Sequence, residues 1–350
     1  DCTLDPVFNS ATTEYSCTVK NNISSVTVNA TATSSKSKVR GLGTKDLTVG
    51  KNTLPIRVIA EDGSEKIYNV NVTRKAEATS LKNEIMKNKI ITAEPTLTTS
   101  SNNTSDASGL YKSTATNTGN PTYYFRGNVE NNYVSFAGQT WRIVRVNEDG
   151  TIRIVMQDGI NDNANIVFNS NYNNYTYMYY TNSEAKTTLE NWYQTNIRSK
   201  SDLAKNVATG AYYCEQAKVK YDSNWSSGNA VMTIYNKYTP DFKCSSDGNG
   251  KGVVNASVGL LTYDEVVYAG GYFNQNNSNY YLNNQAIYWW TMSPAGFTDS
   301  YSRVWRVYTT GYIDFDRGIN SSRLRAVLNL TADTQISDGD GTKENPFVVE

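Results

Sequence analysis

Tyr133-Val-Ser-Phe-Ala-Gly-Gln-Thr-Trp141-Arg-Ile-Val-Arg-Val146-Asn-Glu-Asp-Gly150-Thr-Ile-Arg-Ile-Val-Met156 is the stretch whose reading decides the fold. Two apolar, β-branched runs flank Asn147-Glu148-Asp149-Gly150, and Asp-Gly between such runs predicts a β-hairpin. In the second run Ile152, Ile154 and Met156 alternate with Thr151, Arg153 and Val155, which predicts one packed face and one mixed face. The first run carries Trp141, Ile143, Val144 and Val146 and is too apolar for a solvated edge. The hairpin is expected to found the core of a large domain.

Working outward, 350 residues are enough for two or three domains with separate cores. Thirty-three Lys plus Arg balance 33 Asp plus Glu, so no net field draws the chain to nucleic acid or to an anionic membrane. Histidine is absent, which removes the commonest general base and the commonest zinc ligand together. A surface of Asn, Ser, Thr and 26 Tyr suits an extracellular β protein better than a cytosolic enzyme. No apolar run reaches the roughly 20 residues needed to span a bilayer. Four cysteines fall into two local pairs, Cys2 with Cys17 and Cys214 with Cys244. An even count with one pair per domain predicts disulfides and an oxidising compartment, free buried thiols being the alternative. No spacing forms a metal clamp, and no cofactor is expected. The opening Asp1-Cys2 reads as the start of a piece excised from a longer secreted protein.

In residues 1–74, Val26, Val28 and Ala30, then Ile56, Val58 and Ala60, alternate with polar neighbours. After the turn Glu61-Asp62-Gly63-Ser64, Ile67, Tyr68, Val70 and Val72 form a closing strand, so the segment reads as a small β-sandwich. Leu4-Asp5-Pro6-Val7-Phe8, Thr13-Glu14-Tyr15, Asn52-Thr53-Leu54, Ala60 to Ser64 with Tyr68, and Val72-Thr73-Arg74 resemble the cadherin-like β-sandwich repeat of bacterial surface proteins. The resemblance implies a stalk or spacer module. Cys2 and Cys17 depart from its usual pattern, and bridged they would join the first two strands.

Residues 75–107 read as a helix and polar linker. Leu81, Ile85, Ile90 and Ile91 predict one short amphipathic helix ended by Pro95, and 96–109 a solvated connector. From 108 to 350 a second set of motifs follows: Gly109-Leu110-Tyr111, Tyr123-Tyr124-Phe125-Arg126-Gly127, Tyr133 to Gly138 and Trp141 to Arg145. It continues with Leu260 to Val266, Tyr288-Trp289-Trp290-Thr291-Met292-Ser293-Pro294, Ser322 to Leu328, and Gly339-Asp340-Gly341-Thr342 to Phe347. Together they resemble an uncharacterised C-type-lectin-like domain of surface proteins from Gram-positive gut bacteria. The resemblance implies a mostly β chain: a small cadherin- or Ig-like sandwich followed by a lectin-like α+β domain, whose fold does not fix its function. Ser183 is expected to cap a helix carrying Leu189, Trp192, Tyr193 and Ile197. Thr262 is expected to cap a second one stopped by Gly270-Gly271.

Two stretches offer recognition surfaces. In Tyr172 to Tyr180, Tyr172, Tyr175, Tyr177 and Tyr179 form either a tyrosine-rich binding loop or a strand with one half-buried face. Around 296–317, Phe297, Asp299, Tyr301, Trp305, Arg306, Tyr312, Asp314, Asp316 and Arg317 combine aromatics with both charge signs beside Gly311 and Gly318. The competing reading is the polar ends of a β-meander. Tyr288-Trp289-Trp290 reads as a buried strand rather than a sugar-stacking platform. Calcium at Asp338, Asp340 and Glu344 is disfavoured, since the spacing of a helix-loop-helix calcium loop is missing. The calcium–sugar triplets of animal C-type lectins are absent too. The expectation is a non-enzymatic, monomeric fragment at the bacterial cell surface, an adhesin for a host glycoprotein, immunoglobulin or glycan. A purely structural spacer is the alternative. A glycan hydrolase using Asp314 and Asp316 is the weaker one.

Overall fold

The computed structural model describes residues 2–95, 97, 106–215, 231–232, 240–244, 252–273 and 275–349. The chain divides into two units, Asp1–Thr79 and Ser80–Glu350. Most of its regular structure is β-strand.

In the first unit, β1 (Glu14–Val19), β2 (Ser25–Val28), β3 (Lys38–Arg40), β4 (Gly43–Asp46), β5 (Gly50–Ile59) and β6 (Glu65–Arg74) form two sheets. One has the order β1-β6-β5-β3 and the other pairs β2 with β4. In β1, Tyr15, Cys17 and Val19 are buried and alternate with exposed Glu14, Ser16 and Thr18, the period-2 pattern of a strand covered on one side. Cys17, Val19, Leu47 and Val72 make the small core, with Cys2, Leu4, Val26, Leu54 and Val70 packed against it. Cys2 and Cys17 are disulfide-bonded, 15 residues apart. A loop of that length limits the unfolded chain by about 3 kcal/mol. Replacing both cysteines by alanine is therefore expected to raise amide hydrogen exchange in 14–19 by roughly a hundredfold.

The second unit is built around the hairpin. Numbering continues with α1 (Leu81–Met86), β7 (Ile90–Ile91), β8 (Gly109–Ser113), β9 (Thr122–Arg126), β10 (Tyr133–Phe136), β11 (Gln139–Val146) and β12 (Ile152–Met156). Asn147 accepts from Gly150 N–H at 2.9 Å, and Gly150 sits at φ +88°. The Asp149 carboxylate accepts from Thr151 N–H at 2.9 Å, which closes the turn. β11 is interior. On one edge β10 pairs with Gln139 to Arg142 and β9 with Arg145 and Val146, while β12 runs along the other. β12 in turn pairs with Val327–Leu330. Gln335–Asp338 and Phe347–Val349 extend the sheet beyond β10, and β8 and β7 beyond β9.

All five residues of β12 are buried, so the mixed face that carries Arg153 and Val155 is covered as well as the packed one. A bulge between Ile143 and Arg145 shifts the register, pairing Arg142 with Val155 and Arg145 with Arg153. Cross-strand partners share a face, so Arg142, Arg145 and Arg153 gather on one side of the sheet, and that side is covered. Trp141, Ile143, Ile152 and Ile154 face the other side with less than 1 % exposure and anchor the main core.

Two capped helices pack onto this sheet system. α2 (Glu184–Tyr193) begins at Ser183, whose Oγ accepts from Lys186 N–H at 3.1 Å, and it buries Ala185, Leu189, Trp192 and Tyr193. α3 (Tyr263–Ala269) begins in a capping box of Thr262 and Glu265 and stops at Gly270. α1 ends at Met86, shorter than the periodicity predicts. Leu81 and Ile85 enter the core, whereas Ile90 and Ile91 pair with Leu110 and Tyr111 as β7. Helix and strand thus belong to the second unit and not to a linker. Most of the predicted solvated connector 96–109 lies outside the described residues. A second sheet carries β13 (Tyr272–Phe273), β14 (Trp289–Thr298), β15 (Tyr301–Val307) and β16 (Tyr312–Arg317), with Val231–Met232 at its far edge. Cys214 and Cys244 are disulfide-bonded, 30 residues apart.

Candidate functional site

The β14–β15–β16 meander carries most of the residues singled out from the sequence, and its register sorts them onto two faces. Trp290 pairs with Arg306, and Arg306 with Asp314, so these three share one face with Tyr288, Tyr308, Tyr312 and Asp316. The Tyr308 N–H donates to Tyr312 O at 2.9 Å, closing the turn at Gly311, whose φ is +79°. A Cβ at Gly311 would stand 1.8 Å from the Asn277 carbonyl oxygen, so this turn accepts no side chain.

Arg306 is the hub of that face. Its Nη2 lies 2.6 Å from Asp316 Oδ2 and donates to the Tyr308 hydroxyl at 2.7 Å, and its Nη1 donates to Ser322 Oγ at 3.2 Å. The guanidinium stands 4.4 Å from the Tyr308 ring centre, 5.3 Å from Tyr288 and 5.6 Å from Trp290. Tyr308 and Tyr312 are stacked at 4.3 Å with an interplanar angle of 12°, and Tyr288 meets Tyr308 edge-on at 5.1 Å. Asp316 also accepts from Asn320 Nδ2 at 2.7 Å. Burial raises the Asp314 carboxyl above the usual range, against the Phe315 N–H and Arg306. Burial, with Tyr308 and Asp314 beside it, pushes the Tyr312 phenol up to about 12. Tyr288 remains 39 % exposed and Tyr308, Tyr312, Asp314 and Asp316 half-buried. The result is a preordered aromatic surface with charge of both signs.

The opposite face gathers a smaller cluster. Tyr172 stacks on Tyr301 at 4.8 Å, and Arg317 lies 4.0 Å above the Tyr301 ring. Arg303 reaches the exposed Asp299 at 3.2 Å. Asp299 and Ser300 both have positive φ, 53° and 62°, and form the two-residue hairpin turn joining β14 to β15. The stretch from 296 is strand up to Thr298.

Three expected contact residues turn inward. Phe297 is 4 % exposed, and Trp305 (2 %) packs between Tyr263, Phe273 and Phe315. Tyr179 is 6 % exposed. The 172–180 stretch is not a strand: Tyr175–Met178 and Tyr180–Asn182 are two short 3-10 turns. Asn174 caps the first through Thr176 N–H at 2.9 Å, and Asn and Thr competing for local backbone bonds favour such turns over a ladder. Tyr172 and Tyr175 stay exposed and Tyr177 half-buried. Trp289 and Trp290 are buried, as their strand context predicts, but Tyr288, expected to be buried with them, is exposed because it precedes the strand, which begins at Trp289. Tyr308 was missed. Alternation from Arg306 would have placed it on the same face.

Behind the meander, the arginine side of the hairpin meets α3. Glu265 Oε1 accepts from Arg153 Nη1 at 2.5 Å and from Arg145 Nε at 3.2 Å, while Oε2 accepts from Thr262 N–H at 3.0 Å. A cavity of about 30 Å³ lies against this triad, lined also by Asp241, Asp264 and Ser293. That volume admits about one or two waters.

Residues 1–75 match the family model described as a cadherin-like beta sandwich domain. The two small sheets of the first unit are consistent with that description. No curated protein matches the chain, and no solved structure does. The two disulfides and the sandwich fit an extracellular domain, and no helix among the described residues is long and apolar enough to cross a membrane.

Proposed function

We propose that the chain is part of a bacterial cell-surface adhesin in which the sandwich serves as stalk and the second unit as a non-catalytic, C-type-lectin-like head. The head recognises a host glycoprotein, immunoglobulin or glycan. The observation that carries this reading is the Tyr288–Tyr308–Tyr312 cluster locked around Arg306, Asp314 and Asp316 on a rigid meander. Aromatic and arginine side chains dominate recognition energetics because they bring large area at low ordering cost. Here their rotamers are fixed before any ligand arrives, which lowers the entropic cost of binding. The lectin-like reading rests on the order of the sequence motifs in 108–350.

The test is an array of host serum and mucosal proteins and glycans probed with the full chain. A Tyr308→Ala/Tyr312→Ala variant with unchanged tryptophan fluorescence is expected to lose binding by about tenfold or more. An array without a specific signal would favour the spacer reading for both units. A glycan consumed rather than retained would favour hydrolysis.

A further inference from the structure

Among the described residues the outer edge of β8 is paired at both ends and unpaired in the middle. At one end Ile90 and Ile91 pair in parallel with Leu110 and Tyr111. At the other, the Phe242 N–H donates to Ala115 O at 2.8 Å, and Thr116 and Phe242 form a parallel bridge. The inner edge of Lys112 and Ser113 is occupied by Tyr123 and Thr122. Among the described residues no strand pairs with the outer edge of Lys112, Ser113 and Thr114. Past Ile91 a groove of about 520 Å³ opens between Thr92, Ala93, Glu94, Pro95 and Leu97 on one side and Lys112, Ser113, Thr114 and Ala115 on the other. That volume lies within the ~300–1,000 Å³ typical of ligand sites.

The floor is aromatic. Tyr124 and Tyr268 line it and belong to a buried cluster with Tyr111 and Phe242. The Tyr268 hydroxyl donates to Pro240 O at 3.0 Å. The Tyr124 hydroxyl, in a residue 2 % exposed, has no hydrogen-bond partner among the described residues, a costly state for a buried phenol. Glu94 and Lys112, both exposed, stand on the rim with opposite charges.

We propose that this groove binds a short extended peptide, which enters as the missing strand between β7 and Phe242. A bare sheet edge bounded by paired ends selects main-chain donors and acceptors at strand spacing, the requirement of β-augmentation. Three open positions at ~3.3 Å each accommodate about three peptide residues. An apolar side chain of the peptide rests on the Tyr124 and Tyr268 rings, and a peptide carbonyl accepts from the Tyr124 hydroxyl. The balanced rim requires no net charge of the ligand. The site is separate from the tyrosine face of the meander, so each can fail without the other.

The experiment pans a random heptapeptide phage library on the full chain and measures synthetic copies of the enriched peptides by fluorescence polarisation. Enriched peptides are expected to alternate apolar and polar residues. Thr114→Trp, which fills the groove from an exposed position, is expected to abolish their binding. Tyr124→Phe is expected to weaken it about three- to tenfold, the loss of one hydrogen bond. N-methylation of a central peptide amide tests strand pairing without altering the protein, and a drop is expected at alternate positions. Failure to enrich any peptide, equal binding to wild type and Thr114→Trp, or indifference to N-methylation at every position would each overturn the proposal.

Discussion

Glu265→Ala lowers the stability of the second unit by about 3–5 kcal/mol, read as a shift of its urea midpoint by tryptophan fluorescence. All six tryptophans of the chain lie in that unit, so the signal reports on it alone. The size of the effect follows from the double duty of one carboxylate. Its two oxygens hold Arg145 and Arg153 and complete the cap of α3, and all three charged side chains are under 10 % exposed. Truncation leaves two guanidiniums buried without their shared anion. Glu265→Gln keeps an acceptor for the cap, and its loss is expected to be smaller. The sign of the pH dependence is fixed as well. Burial alone would raise the Glu265 carboxyl, but Arg153 and Arg145 overrule it and hold it below 4.5. A carboxylate depressed in the folded state contributes stability above its unfolded value, and that contribution disappears as the pH falls through the folded one. The wild type is therefore expected to lose this increment below pH 4.5, whereas Glu265→Gln has none to lose there. Parallel acid titrations of the two proteins check it, and identical curves would refute the role given to the carboxylate.

The second large effect is expected at Trp141. Its side chain is fully buried, packs against Phe136 and Trp192, and donates from Nε1 to Phe136 O at 2.9 Å. Trp141→Ala opens a cavity and strips that carbonyl of its donor, and the cost is about 3–5 kcal/mol by urea denaturation. Trp141→Phe keeps most of the volume and is expected to cost clearly less. Equal losses would mean that the hydrogen bond, not the packing, dominates the site.

The hairpin, the first-unit sandwich and both helix caps were legible because each rests on neighbours in sequence. Asp149-Gly150 makes a turn, Thr262 and Glu265 are three residues apart, and apolar alternation along β5 and β6 needs no distant partner. What escaped depends on long-range partners. Arg142, Arg145 and Arg153 carry no local sign of burial, since a charge on a strand is ordinarily solvated. The burial of Arg145 and Arg153 depends on a bulge and on Glu265, 112 residues beyond Arg153, and that of Arg142 on Asn132, Val129 and Tyr281. Arg325 is a sharper case. Fully buried, it donates to Met156 O and Leu282 O, and burial with Arg142 nearby pushes it down to about 10. Nothing local announces that. The candidate site was half legible. Strand alternation separates Arg306, Tyr312, Asp314 and Asp316 from Tyr301 and Arg317, but the inward turn of Trp305 depends on Tyr263 of α3, which packs against it from 42 residues upstream.

The parallel pairing of β1 with β6 and the Cys2–Cys17 bridge together determine how the first unit carries mechanical load. Tension applied at its two ends draws β1 and β6 in opposite directions along their length, so the six aligned residue pairs from Glu14–Asn69 to Val19–Arg74 are sheared together rather than unzipped singly. Force arriving at Cys2 crosses the sulfur bridge straight into β1 at Cys17, and residues 3–13, ahead of the strand, stay slack. A module wired this way resists extension and yields little length before it gives.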